Sequence, residues 1–102
     1  MNLAQQEFCE DAIKKFGADK QKDKCIEECA ELIDALIKNR NGRCSDDDVI
    51  SEIADVRIMV EQMTIIYGRV KVNKEINFKL QRLLSRIYSQ CSSEETSTET
   101  KK

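Results

Sequence analysis

Four segments of this chain repeat apolar residues at intervals of three and four, and the repeats pause at its three glycines, with no proline anywhere. That period is the mark of amphipathic α-helices, and no stretch shows the two-residue alternation of a strand. The first segment, about Asn2 to Phe16, places Phe8, Cys9, Ala12, Ile13 and Phe16 at helical spacing. The second, about Asp19 to Asn39, carries Ile26, Cys29, Ala30, Ile33, Leu36 and Ile37 as its expected core stripe. The third starts at Ser45, a capping residue with Asp48 three positions on, and the acids Asp46 to Asp48 suit the positive end of a helix dipole. It runs through Val49, Ile53, Val56, Val60, Met63 and Ile66 to Gly68, and the fourth, about Val72 to Gln90, carries Ile76, Leu80, Leu83, Leu84 and Ile87. Gly17, Gly42 and Gly68 read as helix terminators. The expected fold is therefore all-α, a four-helix bundle over residues 1–91 whose short connections make neighbours antiparallel. Residues 92–102, SSEETSTETKK, contain no apolar side chain and read as a disordered polar tail.

Acidic residues interrupt two of these stripes. Glu28 and Glu31 lie three apart in KCIEECAEL, and Glu52 and Asp55 lie three apart in SEIADV, so each pair shares one helix face. The stripe of Glu28 continues to Leu32, Ala35 and Leu36, and that of Glu52 and Asp55 to Val56, Met59 and Met63. The acids are thus expected to face the interior, where an unpaired ion costs several kcal/mol. If the second and third helices are antiparallel, the four carboxylates converge, and their repulsion is relieved either by raised pKa values or by cations between them. Oxygen-only ligands select hard ions, Mg²⁺ or Mn²⁺ over Zn²⁺. The competing reading is a solvated acidic face, with Glu28 or Glu31 paired to Lys24 or Lys38.

Composition removes most other chemistries. The chain has 102 residues, 17 basic and 19 acidic side chains and no histidine. Without histidine there is no Cys/His zinc site, no Ser-His or Cys-His nucleophile pair and no ExxH di-iron bundle. The net charge of -2 gives no basic surface for a nucleic-acid polymer. No apolar run reaches the length of a membrane span and MNLAQQEF lacks the features of a signal peptide, so a cytoplasmic location is expected. The five cysteines then read as reduced thiols, with Cys25 and Cys29 as small buried hydrophobes. Asp46 to Asp48 lack the alternation, glycine and terminal glutamate of a calcium loop.

The ordered motifs resemble a known family. EECAELIDAL, containing Glu28 and Glu31, followed by EIADV with Glu52 and Asp55, resembles the EExxE and ExxD signature of the MazG-like all-α nucleoside triphosphate pyrophosphohydrolases. NFKLQR, with Asn77, Lys79 and Arg82, looks like that family's downstream N-x-K-x-x-R element, so the resemblance spans roughly Lys24 to Arg86. It implies a helical bundle, completed by a second subunit as a homodimer or homotetramer, that splits a nucleoside triphosphate into monophosphate and pyrophosphate with Mg²⁺. Carried over by position, Glu28, Glu31, Glu52 and Asp55 match the metal-binding acids. Glu27, first of the acid pair, is the candidate to orient or deprotonate the attacking water. Lys79 and Arg82 would neutralise phosphate oxygens, with Asn77 as a polar contact and Lys24 as a further phosphate ligand. Asp34 also fits the family's spacing.

Phosphoanhydride hydrolysis needs chiefly positioning and charge neutralisation, which is why acids without a nucleophile suffice. The alternative of another class is a non-catalytic helical interaction module or a nucleotide sensor that keeps the metal site. Phe8, Tyr67, Phe78 and Tyr88 are aromatic residues available to stack on a base, but each falls at helical core spacing and is expected to pack instead.

Overall fold

The computed structural model describes residues 1–93, and among them every regular element is an α-helix: α1 (Leu3–Phe16), α2 (Ala18–Arg40), α3 (Asp46–Tyr67) and α4 (Arg69–Ser93). The all-α expectation holds. Ser92 and Ser93 close α4, and the rest of the expected tail lies outside the described residues.

Local chemistry accounts for the boundaries. Asn2 caps α1 by accepting from the Gln5 backbone N–H at 2.8 Å, while Gln5 Oε1 accepts from the Asn2 N–H at 3.0 Å. Ser45 and Asp48 form the expected reciprocal box at the start of α3, with both bonds at 3.2 Å. Gly17 alone joins α1 to α2. Its N–H donates to the Ile13 carbonyl at 2.8 Å and its carbonyl accepts from the Gln21 N–H at 3.1 Å, so one residue ends one helix and starts the next. That double duty requires φ +92 and ψ 149, a region essentially reserved for glycine.

The chain divides into two compact units, Met1–Gly68 and the part that begins at Arg69. In the first, α2 packs chiefly against α3, and α1 touches both. Cross-helix contacts fix the direction of the α2–α3 pair. Asn39 Nδ2 donates to Asp46 Oδ1 at 2.9 Å near the connection, and Gln21 Nε2 donates to Gln62 Oε1 at 2.7 Å toward the far end. Falling numbers on α2 meet rising numbers on α3, so the two form an antiparallel hairpin. α1 joins it where the Cys9 thiol donates to the Ile58 carbonyl at 3.9 Å.

The interior differs from the expected stripe. The buried residues of α2 are Gln21, Glu28 and Ala35, spaced seven apart in one line, whereas Ile26, Ile33 and Ile37 are exposed. On α3 the buried residues are Met59 and Gln62, flanked by half-buried Val56, Met63 and Ile66. The seam therefore follows the line that carries the acids and not the longer run of isoleucines, because α3 covers one side of α2. Phe8, Tyr67, Phe78 and Tyr88, expected to pack, are all exposed, and Tyr67 instead lies beneath Lys22 Nζ, 4.9 Å from its ring centre. Cys25 and Cys29 are half-buried free thiols, and burial followed by the neighbouring Cys29 pushes the Cys25 thiol up.

Replacing Gly17 with alanine tests the junction. A Cβ there meets nothing within 4 Å, so any loss comes from the backbone alone. Gly17→Ala should destabilise the protein by about 1–3 kcal/mol in chemical denaturation, as expected for a side chain forced into this region.

Candidate functional site

The antiparallel hairpin brings carboxylates from two helices to one place. One oxygen each from Glu28, Glu31 and Glu52 lies within 4.8 Å of the others. Glu28 is buried at 9% exposure, Glu52 is half-buried and Glu31 stands at the open side. Asp55, the fourth expected ligand, is half-buried one turn beyond Glu52 on α3, outside this trio.

What surrounds the trio matters more than its count of acids. Glu28 Oε1 and Glu52 Oε1 are both buried and have no hydrogen-bond partner. A buried carboxylate oxygen left unsatisfied is costly, and two of them beside a third acid repel one another as well. The protein supplies one cation to Glu28. Lys24 Nζ lies 3.4 Å from Glu28 Oε2 and 3.1 Å from Glu27 Oε1, and half of its side chain is in solvent, so this is a weakly stabilising surface bridge. Hydrogen bonding and charge repulsion from Glu28, then burial and Glu52, raise the Glu31 carboxyl above the usual carboxylate range. The donors are all carboxylate oxygens, as a hard divalent ion requires, and the unpartnered oxygens leave lone pairs for it. The residues present fit magnesium or manganese.

The remaining candidates are placed as follows. Glu27 is exposed and held by Lys24, the partner that also holds Lys24 above the usual lysine range ahead of Glu28. Asp34 pairs with Lys38 at 2.8 Å on the surface, while the pairing expected of an acidic face is met by Lys24 with Glu28. Asn77, Lys79 and Arg82 are exposed on α4, in the second unit, where Lys79 and Arg82 share a face by their spacing. The trio and Lys24 belong wholly to the first unit.

Two cavities open within this unit, one of them lined by the trio's Glu31 and Glu52. One, of about 280 Å³, lies toward the α2–α3 connection between Glu31, Asp34, Lys38, Asp48 and Glu52. The other, of about 510 Å³, lies toward the start of α2 and is lined by Phe16, Lys20, Gln21, Lys24, Glu27 and Met59. Phe16 and Gln21 line this cavity without having been singled out in the sequence. A signal existed for Gln21, which stands seven residues before Glu28 on the same helix line, but a glutamine on an amphipathic helix carries no mark of burial.

No family model matches the chain, and neither the curated proteins nor the solved structures give a match to it. No helix among the described residues is long and apolar enough to cross a membrane.

The raised Glu31 carboxyl makes metal-free stability depend on pH with a definite sign. Its folded value lies above its unfolded one, so its contribution is fully present below the unfolded carboxyl value and is lost as pH rises through the folded value. In EDTA, the thermal midpoint should rise as pH falls from neutral into the carboxylate range, and Glu31→Gln should flatten that rise. Lys24 acts in the separate alkaline window and should leave this one unchanged.

Proposed function

We propose that this protein is a Mg²⁺-dependent nucleoside triphosphate pyrophosphohydrolase of MazG-like type, releasing a nucleoside monophosphate and pyrophosphate. The observation that carries the reading is the convergence of Glu28, Glu31 and Glu52 with two buried oxygens left without partners. It is supported by the order of the motifs EECAEL, EIADV and NFKLQR along the chain.

Glu28, Glu31 and Glu52 would hold the ion, with Asp55 contributing from the next turn of α3. When bound there, magnesium supplies the charge neutralisation that a triphosphate needs. Glu27, exposed and paired with Lys24, would orient a water and accept its proton. Lys24 bridges Glu27 and Glu28 through two carboxylates, and a phosphate oxygen is an equivalent acceptor for its ammonium. Lys79, Arg82 and Asn77 on α4 are the residues to which the motif NFKLQR would assign the phosphate and nucleotide contacts. Manganese, with the same preference for oxygen, would substitute.

We also propose that the protein works as a homodimer or homotetramer. No side chain among the described residues is completely buried, and α2 shows an uncovered row of Ile26, Ala30, Ile33 and Ile37 at helical spacing. Large apolar rows of this kind on a helix commonly mark an interface.

Two measurements test this. With Mg²⁺ and a panel of nucleoside triphosphates, the protein should release pyrophosphate and not orthophosphate, and EDTA should stop it. Glu52→Gln should lower turnover at least about 100-fold while circular dichroism stays helical; full activity in that variant removes the assignment, and a wild type that binds Mg²⁺ and nucleotide without product points to the sensor alternative. Sedimentation velocity should show a species of twice or four times the chain mass, and a sharp monomer boundary at micromolar concentration contradicts the assembly.

A further inference from the structure

We infer that α4 lies along an anionic lipid bilayer, with its apolar face at the acyl boundary and its arginines and lysines among the headgroup phosphates. This goes beyond the hydrolase reading and stands or falls without it.

Charge is divided unevenly along the chain. α4 carries six basic side chains, Arg69, Lys71, Lys74, Lys79, Arg82 and Arg86, against the single acid Glu75. Residues 1–68 carry 15 acidic side chains against 9 basic ones. The basic excess is therefore confined to one helix of 25 residues, which opens the second unit. An acidic body and a basic helix respond in opposite senses to a negatively charged surface, so attraction to it resides in α4.

The helix also sorts its residues by side. At about 100° per residue, Val72, Ile76, Leu80, Leu83 and Ile87 fall within an arc of about 80°, with Leu84 just beyond it. Ile76, Leu80, Leu83, Leu84 and Ile87 are all exposed, although a stripe this apolar is normally covered. Lys79, Arg86, Arg82 and Lys71 follow on an adjoining arc of about 80° on one side of that stripe. Their aliphatic stems can run along the apolar face while the charged heads stay at the polar boundary. An apolar face beside a basic flank is the pattern of a helix that rests in the plane of a membrane interface. Four to eight Lys or Arg on such a helix suit anionic headgroups. Lys71 and Arg86 lie outside the motif NFKLQR, so the flank extends past the cations which that motif would give to a nucleotide.

A flat surface suits this face better than a second α4 does. Pairing two copies of the helix would bring two basic flanks together, at a cost in repulsion. The stripe from Val72 to Ile87 advances by 4, 4, 3 and 4 residues, whereas a two-stranded coiled coil keeps a repeat of about 3.5. A longer repeat stays on one side of a straight helix, and a plane accepts a straight helix without supercoiling. No helix among the described residues is long and apolar enough to cross a membrane, so the contact is peripheral.

Co-sedimentation of the full chain with phosphatidylcholine vesicles, with and without phosphatidylserine, tests this. The wild type should bind the vesicles that contain phosphatidylserine and not those without it, and binding should fall about tenfold when salt rises from about 0.05 M to about 0.5 M. Lys71→Gln combined with Arg86→Gln should weaken binding about tenfold. Leu83→Gln combined with Ile87→Gln keeps every charge and suits a helix equally well, and should also weaken binding about tenfold. Failure of the wild type to bind phosphatidylserine vesicles overturns the inference. Undiminished binding by the Leu83→Gln, Ile87→Gln chain overturns it as well, because charge alone would then hold the protein. A wild type that ignores vesicles, together with a Leu83→Gln, Ile87→Gln chain that sediments at lower mass, assigns the face to a second copy instead.

Discussion

In the seam where α2 meets α3, Glu28 Oε1 and Glu52 Oε1 lie buried with no hydrogen-bond partner, and Glu31 closes the cluster from the open side. A few turns away the same seam holds another polar pair, Gln21 with Gln62, and there the chemistry closes on itself through a bond of 2.7 Å. The contrast is informative. Two amides can satisfy each other because each carries a donor and an acceptor, whereas ionised carboxylates are acceptors only. A seam that tolerates acids needs a proton shared within the trio, as between Glu31 and Glu28, or a cation from outside it, and Lys24 reaches one oxygen of Glu28 while remaining half in water. The arrangement costs stability in the bare chain, which is the usual sign that the groups are kept for something other than stability.

The same helix presents two different faces. The line Gln21, Glu28, Ala35 is covered by α3, and the row Ile26, Ala30, Ile33, Ile37 is not. Within the three-helix unit α3 meets both other helices, and α1, 14 residues long against 23 for α2, leaves that row of α2 exposed. The uncovered row would add apolar burial without disturbing the acids, because rows about half a turn apart on a helix reach different neighbours. The proposed metal holding and self-association would then make separate demands on α2, and a change at Ile33 need not disturb Glu28.

Much of this was legible from residue order. The capping pair Ser45 and Asp48, the stops at Gly17 and Gly68, and four helices of nearly the right extent all follow from local chemistry, because capping and glycine backbone freedom act within a few residues. The start of α4 was legible only to within one turn: Val72 opens the apolar repeat, but Arg69 is already helical. The acid pairs could be placed on helix faces by their spacing. The sequence could not say which of two apolar rows on α2 would be covered, and the richer row of isoleucines pointed the wrong way.

The helical period, the caps and the shared faces of Glu28 with Glu31 and of Glu52 with Asp55 are properties of single segments, so residue order alone determined them. Which carboxylates meet is a property of register between segments. The antiparallel hairpin selects Glu28, Glu31 and Glu52 and leaves Asp55 one turn on, and it turns Gln21 and Gln62 toward each other across 41 positions of chain. Side-chain reach across a seam depends on how far one helix slides along the other, and no intrasegment signal encodes that distance. Tertiary packing decided it, and with it the cavity beside Phe16.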